Sequence, residues 1–288
     1  MSVASNTATD ASAPAGGLRR LFRRPTALFG AAAILIMTAA AYLMPLLVQL
    51  DPNHIDVMNR FAPPLSGGYL FGTDELGRDV LARLLAGGRI SLTIGFAAMA
   101  LSVIIGTAVG MIAGYRGGVI GAVLMRFVDA MMAFPTVFLV LALALLVKPG
   151  VASTTVLIAA TSWMTVARLV EGQYRSLRHA EYAAAARTCG ASGLRIMIME
   201  LLPNAAGAII IAATINVARA ILLESYVSYL GYGIQPPMAS WGNMLNNAQV
   251  YLTSAPWLAI LPGLAITITV TSFNFIGDGL RDMLDPRS

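Results

Sequence analysis

The chain has 288 residues, of which 57% are hydrophobic and 11% charged, with a net charge of +5 and a mean hydropathy of +0.74. Soluble domains carry roughly 25% charged residues, and a soluble chain of this composition would expose large aggregating patches, so the apolar excess must face lipid. The single cysteine, Cys189, excludes an internal disulfide framework. His54 and His179 stand far apart and outside any H-E-x-x-H pattern, so no metal site is expected, and without a basic–aromatic patch no nucleic acid is expected as a partner.

Residues 1–26 form an N-terminal tail. Residues 1–17 are Ser-, Ala-, Thr- and Gly-rich without apolar periodicity, the composition of a disordered segment, and Arg19, Arg20, Arg23 and Arg24 follow. The apolar run 27–50 is longer than the 7–15 residues of a signal peptide and predicts a retained first spanning helix. Residues 51–89 are too long for a simple connection. Within them Gly72, Thr73 and Asp74 read as a turn, with Asp74 able to cap a helix starting near Leu76. Apolar positions at 80, 81, 84 and 85 make Arg78–Ala86 an amphipathic helix suited to the membrane surface.

Crossing the hydrocarbon takes roughly 20 apolar residues, and five more segments qualify: 90–114, 131–148, 152–171, 204–226 and 257–277. Helices satisfy their own backbone in lipid, whereas barrel strands would be about ten residues long and alternating. The expected fold is therefore an all-α integral membrane protein of about six spanning helices. Gly106, Gly110 and Gly114, spaced by four, predict close helix packing.

Between the fourth and fifth spans, Glu171–Pro203 is long, Ala-rich and dense in helix formers. Glu181 places a negative charge at a helix start, where it is favoured. Ala183 to Ala186 present almost no bulk, so another protein can approach the backbone. Gly190 can end this helix in a left-handed conformation, Ala191 to Leu202 read as a second helical stretch, and Pro203 begins the next span. The pattern is a helix–turn–helix docking element.

In the fifth span Arg219 and Glu224 stand out, because a central charge costs about 2.5–3.5 kcal/mol on insertion scales and is usually paired or faces water. They either line a passage, form a structural salt bridge or contact a partner chain; Asn216 and Asn274 are weaker candidates of the same kind. Beyond it, Gln235, Pro236 and Pro237 predict a stiff extended segment, and Trp241, Tyr251 and Trp257 suit an interfacial belt.

Thirteen of the nineteen basic residues fall in 1–26, 115–130, 168–203 and 278–288; Arg60, Arg78, Arg83, Arg89 and Lys148 fall on the other side. The positive-inside rule then puts both termini and the 181–202 element in the cytoplasm. The sole lysine, Lys148, precedes Pro149, so there is no phosphate-binding loop and no ATPase on this chain. No G-x-S-x-G elbow supports a hydrolase.

Three stretches carry a family resemblance and together span about half of the chain. Glu181, Ala183, Ala184, Gly190, Ala191 and the Leu202–Pro203 pair, within EYAAAARTCGASGLRIMIMELLPN, resemble the EAA loop of permeases in binding-protein-dependent ABC importers. Tyr182 departs from that pattern, which has Ala there. FGTDELGRDVLARLLAGGRISLTIG (71–95) and the segments LGYGIQPPMASWGNML, APWLAILPG and FNFIGDGLRDMLDP resemble the C-type permease of dipeptide, oligopeptide and nickel importers. The resemblance implies that 173–203 is a loop with a cytoplasmic coupling helix seated on an ATPase, inside a permease domain spanning 90–280 and followed by a tail at 281–288. It implies as partners a second homologous permease, two ATPase subunits or domains carrying ATP and Mg, and an extracytoplasmic solute-binding protein, besides membrane lipid, with no cofactor on this chain. Asp74, Arg78, Gln235 and Trp241 become docking candidates for the binding protein. Dipeptides and oligopeptides are the implied cargo, with nickel or glutathione as alternatives. A secondary transporter or channel is the reading from another class, but no repeat of the first three spans in the last three supports it.

Overall fold

The computed structural model describes residues 24–48, 50–246 and 248–284. The expected disordered tail 1–17, the arginines at 19, 20 and 23, and residues 285–288 lie outside them. Helix α1, Pro25–Leu47, begins with proline at its first turn, where the missing N–H costs nothing. Phe29, Leu35, Ile36, Leu43 and Leu47 stay exposed as a lipid-facing stripe. On the other side Gly30 lets the helix touch the Ser272 carbonyl of the last helix.

Helix α2, Val80–Arg116, is capped by Asp79, whose Oδ1 accepts the Leu81 N–H at 2.9 Å. Its 37 residues rise about 55 Å, well beyond the roughly 30 Å of hydrocarbon. The expected surface helix Arg78–Ala86 is therefore no separate element: its last turns are the first turns of α2. Gly87 and Gly88 do not break the helix, because they are where the Ser240 backbone and the Trp241 ring pack directly against it. Asp74 does not cap a helix at Leu76; it accepts the Leu76 and Arg78 N–H groups in a turn before the helix.

Helix α3, Gly118–Met132, and α4, Thr136–Ala144, meet at a bend of 82°. The expected span 131–148 is thus a broken one. Pro135 stands at the bend, lacks an N–H and disfavours a helical Phe134 before it. Helix α5 is Val151–Leu177, α6 is Glu181–Thr188, and α7 is a single turn, Gly193–Arg195. That turn runs through a π segment, Ile196–Leu201, into α8, Leu202–Tyr229. Pro203 stands in the first turn of α8, as expected of the residue that begins this span, and the wider turn before it, in which the Leu202 N–H reaches the Met197 carbonyl, joins the two segments. Helices α9, Trp241–Asn246, and α10, Trp257–Leu284, complete the chain.

Among the described residues, five helices are long and apolar enough to cross a membrane, and the bent α3–α4 pair makes up to six. At the centre, α2 packs along α5. A Cβ at Gly106, Gly110 or Gly114 would lie 2.5–2.6 Å from the carbonyl of Trp163, Ala167 or Glu171. The glycine spacing of four therefore serves helix contact. Helix α8 lies against α2 and α5, and α10 against α8 and α1. Arg24, just before α1, pairs with Asp282 in the last turn of α10.

Candidate functional site

Three regions hold the residues singled out above. The first is the hairpin of α6 and the π segment. Gly190 has φ +81° with open space around it, so conformation and not crowding selects glycine. The Gly190 N–H donates to Arg187 O and the Ala191 N–H to Ala186 O, both at 3.0 Å, the paired closure of a Schellman motif. Ser192 then accepts the Arg195 N–H and starts the next turn. Ala183 is wholly buried among Val170, Tyr174, Ile196, Met197 and Leu201, while Glu181, Tyr182 and Ala184 on the opposite side are exposed. The hairpin is thus clamped on one face and bare on the other.

Two anchors of this hairpin were not picked out from the sequence. The buried Tyr174 hydroxyl donates to the Met197 carbonyl at 2.9 Å. Arg178 donates to Gly114 O at 3.3 Å, and its own carbonyl accepts from Arg187 at 2.7 Å. A polar residue at the end of an otherwise apolar span was the available signal for each.

The second region is a cavity of about 520 Å³ between α5 and α8, lined also by Thr136 of α4. Asn216 and Arg219 line it together with Thr161, Ser162 and Thr165. Arg219 is exposed there, and Asn216 is buried with its Nδ2 unpaired. Asn274 is exposed on α10, away from this cavity.

Glu224 lies apart, fully buried one turn further along α8. Its Oε2 accepts from Ser91 of α2 at 2.7 Å and its Oε1 from Ser228 at 2.8 Å. Ser91 in turn accepts the Trp241 N–H at 3.2 Å, and Ser228 the Ile234 N–H at 3.0 Å. One carboxylate therefore gathers α2, α8 and the start of α9, and every donor it needs is present. Ser228, four residues after Glu224 in a helical segment, was a legible signal; Ser91 was not.

The third region is the end of the bundle that holds residues 51–79 and 230–246. Asp74 and Arg78 are both buried and pair at 2.6 Å; Arg78 also meets Glu75 at 3.0 Å, and Arg83 lies 3.6 Å from Asp74. Thr73 donates to Asn59 O and accepts the Ala62 N–H. The Asn59 amide, with help from the Tyr69 hydroxyl and the Met58 N–H, holds the Asp56 carboxyl below its ordinary range. Burial, and then the bond to Asp56, pushes the Tyr69 phenol up. Trp241 is 2% exposed and its indole N–H donates to Leu84 O at 3.0 Å; Gln235 is half-buried and donates to Gly231 O. Of the four docking candidates, Asp74, Arg78 and Trp241 are thus buried within the subunit, where they shape the surface around them.

A family model described as the inner membrane component of binding-protein-dependent transport systems matches residues 106–288. A second, the N-terminal transmembrane domain of oligopeptide transport permease C, matches residues 16–64. The oligopeptide transport system permease protein OppC of Haemophilus influenzae is 39% identical over 93% of this chain and 87% of its own length. The dipeptide transport system permease protein DppC of Bacillus subtilis is 39% identical over 93% and 84%, and OppC of the same bacterium 38% over 91% and 85%.

Proposed function

The chain belongs to the binding-protein-dependent transport system inner membrane components, and from that membership we propose that it forms, with a homologous permease, the transmembrane pathway of an ATP-driven peptide importer. It is a multi-pass protein of the bacterial inner membrane. Its similarity to oligopeptide and dipeptide permeases favours peptides over nickel or glutathione as cargo.

The observation that carries the mechanism is the two-faced hairpin: Ala183 buried in a cluster shared with α5 and α8, Glu181 and Ala184 bare. An ATPase subunit binding ATP and Mg would seat on the bare face, made of Glu181, Ala184 and the turn at Gly190 and Ala191. The clamped face would carry its motion into α5 and α8, through Leu202 and Pro203 in the latter. This is the differential contact that a nucleotide-driven switch requires. In this reading both termini and the hairpin are cytoplasmic, as the arginine distribution favours. The 51–79 and 230–246 end then receives the solute-binding protein, with Asp74, Arg78, Gln235 and Trp241 shaping the receiving surface. The permease domain runs over 90–280, and the α5–α8 cavity with Asn216 and Arg219 is part of its pathway. Glu224 fixes the wall behind it, and Asn274 faces outward from α10.

The test is Gly190→Pro. Proline fixes φ near −65° where Gly190 has +81°, and it removes the bond to Arg187. Peptide uptake is expected to fall more than about tenfold while hydrolysis by the assembled complex continues, a loss equivalent to about 1.4 kcal/mol of coupling. Wild-type uptake in that variant would sink the lever mechanism. Undiminished peptide uptake in a strain lacking this chain would sink the peptide assignment.

A further inference from the structure

We propose that Arg219, together with Asn216 and the hydroxyls of Ser162 and Thr165, is a binding point for the terminal carboxylate of the peptide as it passes through the α5–α8 cavity; this rests on the importer reading above. The cavity is lined by threonine, serine, asparagine and aliphatic side chains, and Arg219 is the one charged residue on its wall. Among the described residues the guanidinium makes no ion pair and no hydrogen bond, in contrast to Arg78, Arg83 and Arg168, each of which meets a carboxylate. A cation within a membrane-spanning helix is expensive unless it is paired or hydrated, so the site is built to receive an anion.

Its neighbours suit that anion. Ser162 and Thr165, three residues apart on α5, place hydroxyl donors on the same cavity, and neither spends its hydroxyl on a partner among the described residues. Asn216, one turn before Arg219 on α8, is 6% exposed and has an unpaired amide nitrogen. A guanidinium flanked by amide and hydroxyl donors favours a carboxylate. Every unmodified peptide carries one such group whatever its side chains, while the neutral remainder of the wall discriminates little among them. The stripe Asn216, Arg219, Leu222, Tyr226, Tyr229 has helical spacing, and its last members line a second cavity of about 370 Å³ that shares Leu222. From Arg219 to Tyr229 the helix rises about 15 Å, the length of four or five extended residues.

The experiment compares uptake of a tripeptide and its C-terminal amide in cells lacking this chain, complemented with wild type, Arg219→Gln or Arg219→Lys. Each complex is first shown to copurify intact with its partner subunits. Arg219→Gln is expected to lower tripeptide uptake about tenfold, the scale of one charge-assisted contact, and to leave uptake of the amide as it is in wild type. Arg219→Lys should recover part of the loss. An equal loss for both peptides, or a complex that no longer copurifies, would assign Arg219 to a carboxylate of the partner permease and overturn the proposal. Unchanged tripeptide uptake in Arg219→Gln would also overturn it. Wild-type uptake of both peptides by the uncomplemented strain would instead overturn the importer reading on which it stands.

Discussion

The Glu181 hairpin and the Trp241 end sit at opposite ends of α2 and are held by different forces. The hairpin is fixed by an apolar cluster around Tyr174, Ala183, Ile196 and Leu201, with Arg178 and the Tyr174 hydroxyl as polar supplements. The other end is fixed by buried carboxylates whose donors come from different elements: Glu224 with Ser91 and Ser228, Asp74 with Arg78 and Arg83. Apolar contact is non-directional and survives small shifts. A buried carboxylate keeps its geometry or loses its donors at high cost. The apolar end therefore suits an element pushed by a partner, and the polar end suits a surface that must keep one shape.

The comparison assumes that α2 and α5 transmit position between the ends, and Gly110→Leu breaks that assumption hardest. A Cβ alone at Gly110 would lie 2.5 Å from Ala167 O and 2.8 Å from Val170 Cβ. Overpacking here is expected to cost about 3 kcal/mol or more, and the subunit should fail to copurify with its partners. Normal copurification would mean that the two ends do not depend on this contact.

Glu224→Ala comes next. It strands the Ser91 and Ser228 hydroxyls and weakens their hold on Trp241 and Ile234. A destabilisation of about 3 kcal/mol is expected, read as a lowered melting temperature of the detergent-purified complex. Tyr174→Phe should cost less, about 1 kcal/mol, because the ring stays in its cluster and only the bond to Met197 O is lost. If Tyr174→Phe proved as damaging as Glu224→Ala, the contrast between the ends would vanish.

Composition alone made the membrane class legible, and residue patterns placed four spans wholly within the helices found, while the first, 27–50, ran past the end of α1 at Leu47. The Gly106–Gly110–Gly114 spacing and the left-handed Gly190 were readable because each answers a local demand, close approach in one case and backbone conformation in the other. What escaped depended on tertiary context. Helix α2 runs unbroken through Gly87 and Gly88 because Ser240 and Trp241, more than 150 positions along, pack there. The break at Pro135 was hidden inside an apolar run that read as one span. At the candidate sites, Arg219 and Glu224 looked alike as charges in a span; only packing separates a cavity-facing cation from a carboxylate whose donors are all in place.

The gentlest probe is pH, acting at Asp56. Its carboxyl accepts from Asn59 Nδ2 at 2.7 Å, from the Tyr69 hydroxyl and from the Met58 N–H at 3.2 Å each, and its folded value lies below the ordinary 3.8. A depressed carboxylate contributes stability that is present above its unfolded value and is lost as pH falls through the folded one. Hydrogen exchange at 56–69 should therefore quicken as pH is taken below about 4, after correction for the intrinsic pH dependence of exchange. Asp56→Asn should show the quickened exchange already at neutral pH and no further change on acidification. The effect should stay within 56–69, because every hydrogen-bond partner of the Asp56 carboxyl lies there. The Trp241 backbone, held by Ser91, is not among them. Quickening that spread to α9 would mean that this end opens as one cooperative unit, and that its polar contacts act together and not one by one.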